Sequence, residues 1–207
     1  MDSIIFDVDG TLWDTTHVVA DAWNEVVRSE TSLDLSITPQ KLKTLFGKTM
    51  PDIAAILFPE EPKENQLRLI DLCCQREEEA LRKKSGALYP QLESVLTQLA
   101  ARLPLFLVSN CQAGYIETFL DCTGFAPYIT DHLCPGDTGE GKAENIREII
   151  RRHHLKSPVY VGDTDGDYQA VKSAGDSIPF IFASYGFGFV ENPDYVITCP
   201  ADLLSLL

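Results

Sequence analysis

Short runs of apolar, β-branched and aromatic residues recur along the chain at positions 3–6, 105–108, 159–161 and 180–183. Each run stops at small or polar residues, and segments of helical period lie between most of them. That alternation is the signature of βαβ units around a parallel sheet. Positions 129–134 and 195–198 read as weaker strands of the same kind.

The spacing is uneven. About ninety residues separate the first strand from the next without another good strand, far more than one crossover needs. Val19, Ala22, Trp23, Val26 and Val27 fall at i, i+3, i+4 spacing, and Leu67, Ile70, Cys74 and Leu81 trace a longer stripe. Thr38-Pro39 reads as an N-cap followed by proline at the first helical position. These patterns predict an all-helical domain over 15–85, inserted into a core built from 1–14 and 86–207. Glu77-Glu78-Glu79 is expected on a solvated face of its last helix. Tyr89-Pro90 is expected to open the helix that returns to the core, with proline at its first position. The fold class is therefore α/β, a Rossmann-like doubly wound parallel sheet with an inserted all-helical cap domain.

Composition narrows the function. The chain has 207 residues, enough for one good core and a small accessory domain. Acidic residues number 31 against 17 basic ones, a formal charge of −14, the wrong sign for gripping nucleic acid or an anionic membrane. A small anionic ligand would need positive charge gathered locally, by a metal ion or a few placed lysines. The 6 cysteines show neither C-x-x-C pairing nor zinc-like spacing and are expected to be free thiols. No apolar run approaches ~18 residues, and the chain begins directly on a strand. The expected setting is reduced and cytoplasmic, with no nucleic-acid or membrane partner, the chain being a monomer or small homo-oligomer.

In open parallel sheets, ligands bind beyond the carboxyl ends of the strands. There the chain places Asp7 and Asp9, then Ser109-Asn110, then Asp163, Asp165 and Asp167. Two carboxylates about 4 Å apart repel by on the order of 4 kcal/mol at an effective dielectric near 20, so the cluster calls for a cation. Oxygen donors without His or Cys point to Mg²⁺. A calcium loop fails at both places: counted from Asp163 the twelfth position is Ala174, and from Asp7 it is Val18. Asp165 or Asp167 can alternatively cap the following helix. The stretch Gly136 to Ala143 nearly matches a P-loop. However, Ala143 replaces the hydroxyl residue, and Asp137 and Glu140 put negative charge where phosphates would lie. Lys142 within it is either a site cation or a solvated lysine. Gly186 and Gly188 are expected to serve a turn beside the site, and His153-His154 to favour a helix end over metal binding.

Asp7-x-Asp9-Gly10-Thr11-Leu12, Ser109-Asn110, Lys142 and Gly162-Asp163-x-x-x-Asp167 occur in the order and approximate spacing of the four motifs of the haloacid dehalogenase superfamily. The helical insertion after the first motif resembles its type 1 cap, as in phosphoglycolate phosphatase-like and β-phosphoglucomutase-like members. The resemblance implies that Asp7 is the nucleophile and Asp9 the acid and base. It implies that Ser109 and Lys142 hold the phosphoryl oxygens, helped by backbone N–H groups near Gly10 and Asn110. It further implies Mg²⁺ on the Asp7 carboxylate, the Asp9 carbonyl and Asp163, with Asp167 nearby. Ala143 departs from the proline common after the motif lysine. Because Asp9 is present, phosphate-ester chemistry on a small phosphorylated metabolite is expected. A phosphatase is the first reading, with a sugar-phosphate mutase or a non-hydrolytic phosphate binder as alternatives. Residues 45–53 resemble the family's substrate-specificity loop, where Lys48 either meets an anionic substrate group or is simply solvated.

Overall fold

The computed structural model describes residues 1–206. Its centre is β1 (Ser3–Phe6), buried at every position. Five further parallel strands flank it: β4 (Leu105–Val108), β5 (Asp131–Leu133), β6 (Pro158–Gly162), β7 (Phe180–Ala183) and β8 (Tyr195–Ile197). They follow the order β5-β4-β1-β6-β7-β8. Strand order reverses between β1 and its neighbours β4 and β6, so the switch-point crevice opens at the end of β1. The register brings Phe6 opposite both Leu107 and Val161. The three central strands thus end nearly level, and the residues after them share one edge.

Helices cover both faces, which is why the central strands are almost wholly apolar and do not alternate. Ile4 and Phe6 pack on one side with α5 (Leu92–Ala100) and α6 (Tyr115–Thr123), whereas Ile5 packs on the other with α8 (Lys142–Arg152) and α9 (Asp165–Ala174). Two short turns of helix, α7 (Pro135–Thr138) and α10 (Leu203–Leu206), complete this body.

The long interval after β1 holds α1 (Thr16–Glu30), α2 (Pro39–Lys43), α3 (Met50–Leu57) and α4 (Lys63–Lys83). They enclose a core of their own around Val19, Trp23, Leu42, Ile53, Leu69 and Cys73. Thr38 caps α2 as its sequence suggests, its side chain accepting from the Lys41 N–H with Pro39 at the first helical position. The chain leaves and re-enters the sheet body through a small antiparallel ribbon that the apolar pattern is too short to reveal. In it β2 (Trp13–Asp14) pairs Trp13 with Leu88 and Asp14 with Ala87 of β3 (Ala87–Leu88).

Three expectations are corrected. The returning helix begins at Leu92 instead of Pro90, because Gln91 adopts φ 63° and the preceding residues close a turn through Leu92 N–H to Tyr89 O. The Glu77-Glu78-Glu79 run is not one solvated face, since Glu77 is 3% exposed. It continues the stripe of Ile70, Cys74 and Leu81 at helical spacing, so the same face of α4 that buries those residues buries its carboxyl group. Leu67, expected in that stripe, lies instead at its margin and is exposed. The cysteines are free, with Cys73, Cys74, Cys111 and Cys134 buried. Among the described residues no helix is long and apolar enough to cross a membrane.

Candidate active site

After β1 the chain turns tightly, with the Leu12 N–H donating to Val8 O at 2.8 Å, and Gly10 takes φ +83°. A side chain there would be strained by the backbone alone. It would also collide, since a Cβ on Gly10 would lie 2.1 Å from Asp163 Oδ2. The turn therefore presses the first strand end against the one after β6 and brings Asp7 and Asp163 together.

Lys142, the first residue of α8, is 4% exposed and projects into this crevice. Its ammonium donates to Asp7 Oδ1 at 2.7 Å and to Asp167 Oδ1. Asp167 also caps α9: its other oxygen accepts from the Thr164 N–H at 3.0 Å and the Thr164 hydroxyl at 2.7 Å. Asp167 thus caps α9 with one oxygen while the other meets Lys142 in the acidic cluster. Asp163 accepts from the Phe187 N–H at 2.7 Å, in the turn containing Gly186 and Gly188. Asp165, by contrast, is exposed on the first turn of α9 and lies outside the cluster.

Oxygens of Asp7, Asp163 and Asp167 lie within 4.8 Å of one another, and all three residues are buried. Burial raises the pKa of Asp7, with the Asp167 charge adding to it and Lys142 and Ser109 opposing. Burial, followed by the charges of Asp167 and Asp7, holds Asp163 well above the usual carboxylate range. Burial also works against the Lys142 ammonium, but Asp167 and Asp7 overcome it and keep that group charged. One ammonium against three carboxylates leaves excess negative charge in a desolvated site. An all-oxygen donor set with that excess fits a hard divalent cation such as Mg²⁺.

Asp9 stands apart from the three. Its Oδ1 accepts from the Thr15 hydroxyl at 2.9 Å and from Tyr115 OH at 2.8 Å. Burial lifts its pKa to about 7; those two hydrogen bonds oppose the rise and the Asp7 charge adds to it. The group can therefore carry a proton near neutrality, which an ordinary aspartate cannot.

Ser109 is buried at the end of β4, and a narrow cleft beside it is lined by Asp7, Asp9, Lys48, Asn110 and Tyr115. Asn110 Nδ2 donates to Gly47 O at 2.8 Å, tying the sheet body to the loop before α3. Lys48 is exposed at that loop and, among the described residues, forms no ion pair. Two residues past Asn110, Gln112 Nε2 donates to Glu77 Oε1 at 2.7 Å. The 136–143 run is not a phosphate cradle. A Cβ on Gly136 would meet the backbone N of Ala113 at 1.9 Å, and Lys142 turns toward Asp7. His153 ends α8 and bonds Asp131 at 2.8 Å, consistent with a helix-end role.

Sequence reading brought together Asp7, Asp9, Ser109, Lys142, Asp163 and Asp167. It missed Thr15, Tyr115, Gln112, Thr164 and the Phe187 N–H. Of these only Thr164, as a threonine three residues before an aspartate, carried a local signal for the cap that fixes Asp167.

With that geometry in place, comparison is informative. The haloacid dehalogenase-like hydrolase family matches residues 4–181. The chain belongs to this family. It is 25% identical to phosphoglycolate phosphatase of Yersinia pseudotuberculosis over 225 residues, covering 99% of this chain and 92% of the relative. It is 26% identical to the Escherichia coli K12 phosphoglycolate phosphatase over 156 residues, 70% of this chain and 61% of that one. Its fold matches a haloacid dehalogenase-like family hydrolase of Streptococcus pneumoniae with TM-score 0.81 at 19% identity, over 100% and 98% of the two chains. It also matches CbbY of Rhodobacter sphaeroides, solved in complex with phosphate, with TM-score 0.80 at 19% identity, over 98% and 96%.

Proposed function

We propose that this haloacid dehalogenase-family phosphatase hydrolyses small phosphomonoesters by transient phosphorylation of Asp7, with residues 15–85 acting as a cap over the site. The observation that carries this reading is the position of the Asp7 carboxylate. It is buried at the sheet switch point and held by Lys142 at 2.7 Å among two further acids.

The Asp7 carboxylate attacks phosphorus, and the leaving alkoxide oxygen takes a proton from Asp9. Because Thr15 and Tyr115 both occupy Oδ1 of Asp9, Oδ2 is the oxygen left to carry that proton. Water then attacks the aspartyl phosphate, and the now ionised Asp9 accepts its proton, restoring both carboxyl groups. Lys142 and the Ser109 hydroxyl hold the phosphoryl oxygens, and the backbone N–H groups near Gly10 and Asn110 add donors. Asp7, Asp163 and Asp167, with the Asp9 carbonyl, would hold Mg²⁺, which supplies positive charge to offset repulsion between carboxylate and phosphoryl dianion.

The test is phosphate release from a panel of small phosphomonoesters, with Mg²⁺ and after EDTA treatment, by the wild type and Asp7→Asn. Loss of at least ~10³-fold in Asp7→Asn, with unchanged circular dichroism, is expected. Full turnover by that variant would refute the covalent route.

A further inference from the structure

The narrow cleft at Asp7 and Asp9 adjoins a second, larger one of about 450 Å³ between the helical insertion and the sheet body. The two share Met50, Asn110, Cys111 and Gln112 in their walls. That volume lies within the range that holds a small organic ligand. The phosphoryl group occupies only the inner end, and the outer space is where an ester's alcohol portion must go.

The walls of the outer cleft have a definite chemistry. Met50, Leu67, Ile70 and Cys74 make one side apolar, and the charged side chains bordering it are Asp71 and Glu140, both acids. No Lys or Arg lines it; Lys48 borders the inner cleft and a separate opening beside Asp52 and Ile56. In addition, Asn110 Oδ1 and Gln112 Oε1 are buried acceptors without a hydrogen-bond partner. The orientation of the Asn110 amide is set by its bond to a carbonyl, Gly47 O, which can only accept. An unpaired buried acceptor costs roughly 1–3 kcal/mol, so a bound group that donates to these oxygens is favoured, and one that adds an acceptor is not.

We infer that the alcohol portion of the substrate is non-anionic, bears hydrogen-bond donors and extends apolar surface into the cleft between α3, α4 and the 135–141 segment. This rests on the phosphatase reading above and specifies its substrate class. A second carboxylate or phosphate reaching the outer cleft would face Asp71, Glu140 and two acceptor oxygens, with no Lys or Arg in its walls.

Two esters matched in size test the inference: 2-hydroxyethyl phosphate and 2-phosphoglycolate, which differ in carrying a hydroxymethyl or a carboxylate group. With Mg²⁺ at neutral pH, kcat/KM is expected to be at least ~10-fold higher for 2-hydroxyethyl phosphate. In the double variant Asp71→Lys, Glu140→Lys, at two exposed positions, the ratio is expected to fall by ~10-fold or more. Preference for phosphoglycolate by the wild type, or a ratio unmoved by the charge reversal, overturns the inference while leaving the hydrolase intact. Release of phosphate from neither ester nor from p-nitrophenyl phosphate overturns the phosphatase reading, and this one with it.

Discussion

Glu77 of α4 and Gln112 of the loop after β4 meet at 2.7 Å, while the other Glu77 oxygen accepts from Trp23 Nε1 at 2.5 Å. Burial above all, with the Asp9 charge adding to it, raises Glu77 from 4.5 to about 8, against the pull of these two hydrogen bonds. The folded chain thus holds this proton more tightly than the unfolded chain. The stabilising contribution is fully present below about pH 4.5 and is lost as pH rises through about 8. Glu77→Gln keeps an acceptor for Trp23 and has no proton to lose. Relative to wild type it should gain on the order of 3 kcal/mol between pH 5 and pH 8.5. Urea melts at the two pH values check this, and parallel stability curves for the two proteins would contradict it.

Lys142 is the only ammonium among three buried carboxylates, bonded to Asp7 at 2.7 Å and to Asp167. Lys142→Met fills much of the same volume but leaves those carboxylates uncompensated. A loss of roughly 3–5 kcal/mol is expected in metal-free buffer. Added Mg²⁺ should recover part of it and stabilise the variant more than the wild type, as thermal melts with and without the ion will show. A variant as stable as wild type without metal would mean the acids are already protonated.

Gly10→Ala introduces a Cβ 2.1 Å from Asp163 Oδ2 at a backbone φ of +83°. Left-handed backbone at a non-glycine residue costs about 1–2 kcal/mol, and the clash adds to it by displacing Asp163. A fall in melting temperature is expected together with a drop of ~10²-fold in kcat. Were kcat to stay at the wild-type value, the contact between the two strand ends would have no part in turnover.

The parts of this architecture that repeat a local pattern could be read from sequence, and those that depend on distant packing could not. Residues 3–6, 105–108 and 180–183 are strands with the predicted limits, because both faces of the sheet are covered and every position is buried, nearly all by apolar side chains. The acids at the strand ends were visible for the same reason, since a run of buried residues that stops at Asp7 or Asp163 has reached the sheet edge. Glu77 was misjudged because three adjacent glutamates resemble a wet surface, and only the helical phase shared with Ile70, Cys74 and Leu81 shows that the first faces inward. Tyr115 could not be paired with Asp9 from sequence at all, being 106 positions away and brought there by α6. The β2–β3 ribbon has two residues per strand, too few for any periodicity to register.

That ribbon constrains how the site can be reached. The polypeptide passes between its two bodies only at Trp13–Asp14 and Ala87–Leu88, and those passages are bonded side by side. The helical part is therefore joined to the sheet body by one paired crossing, with Asn110 to Gly47 and Gln112 to Glu77 as further ties, besides Arg82 to Asp121 and Thr118 of α6. The first two both end on the strip carrying Ser109, so any parting of the two bodies would pull directly on that strip.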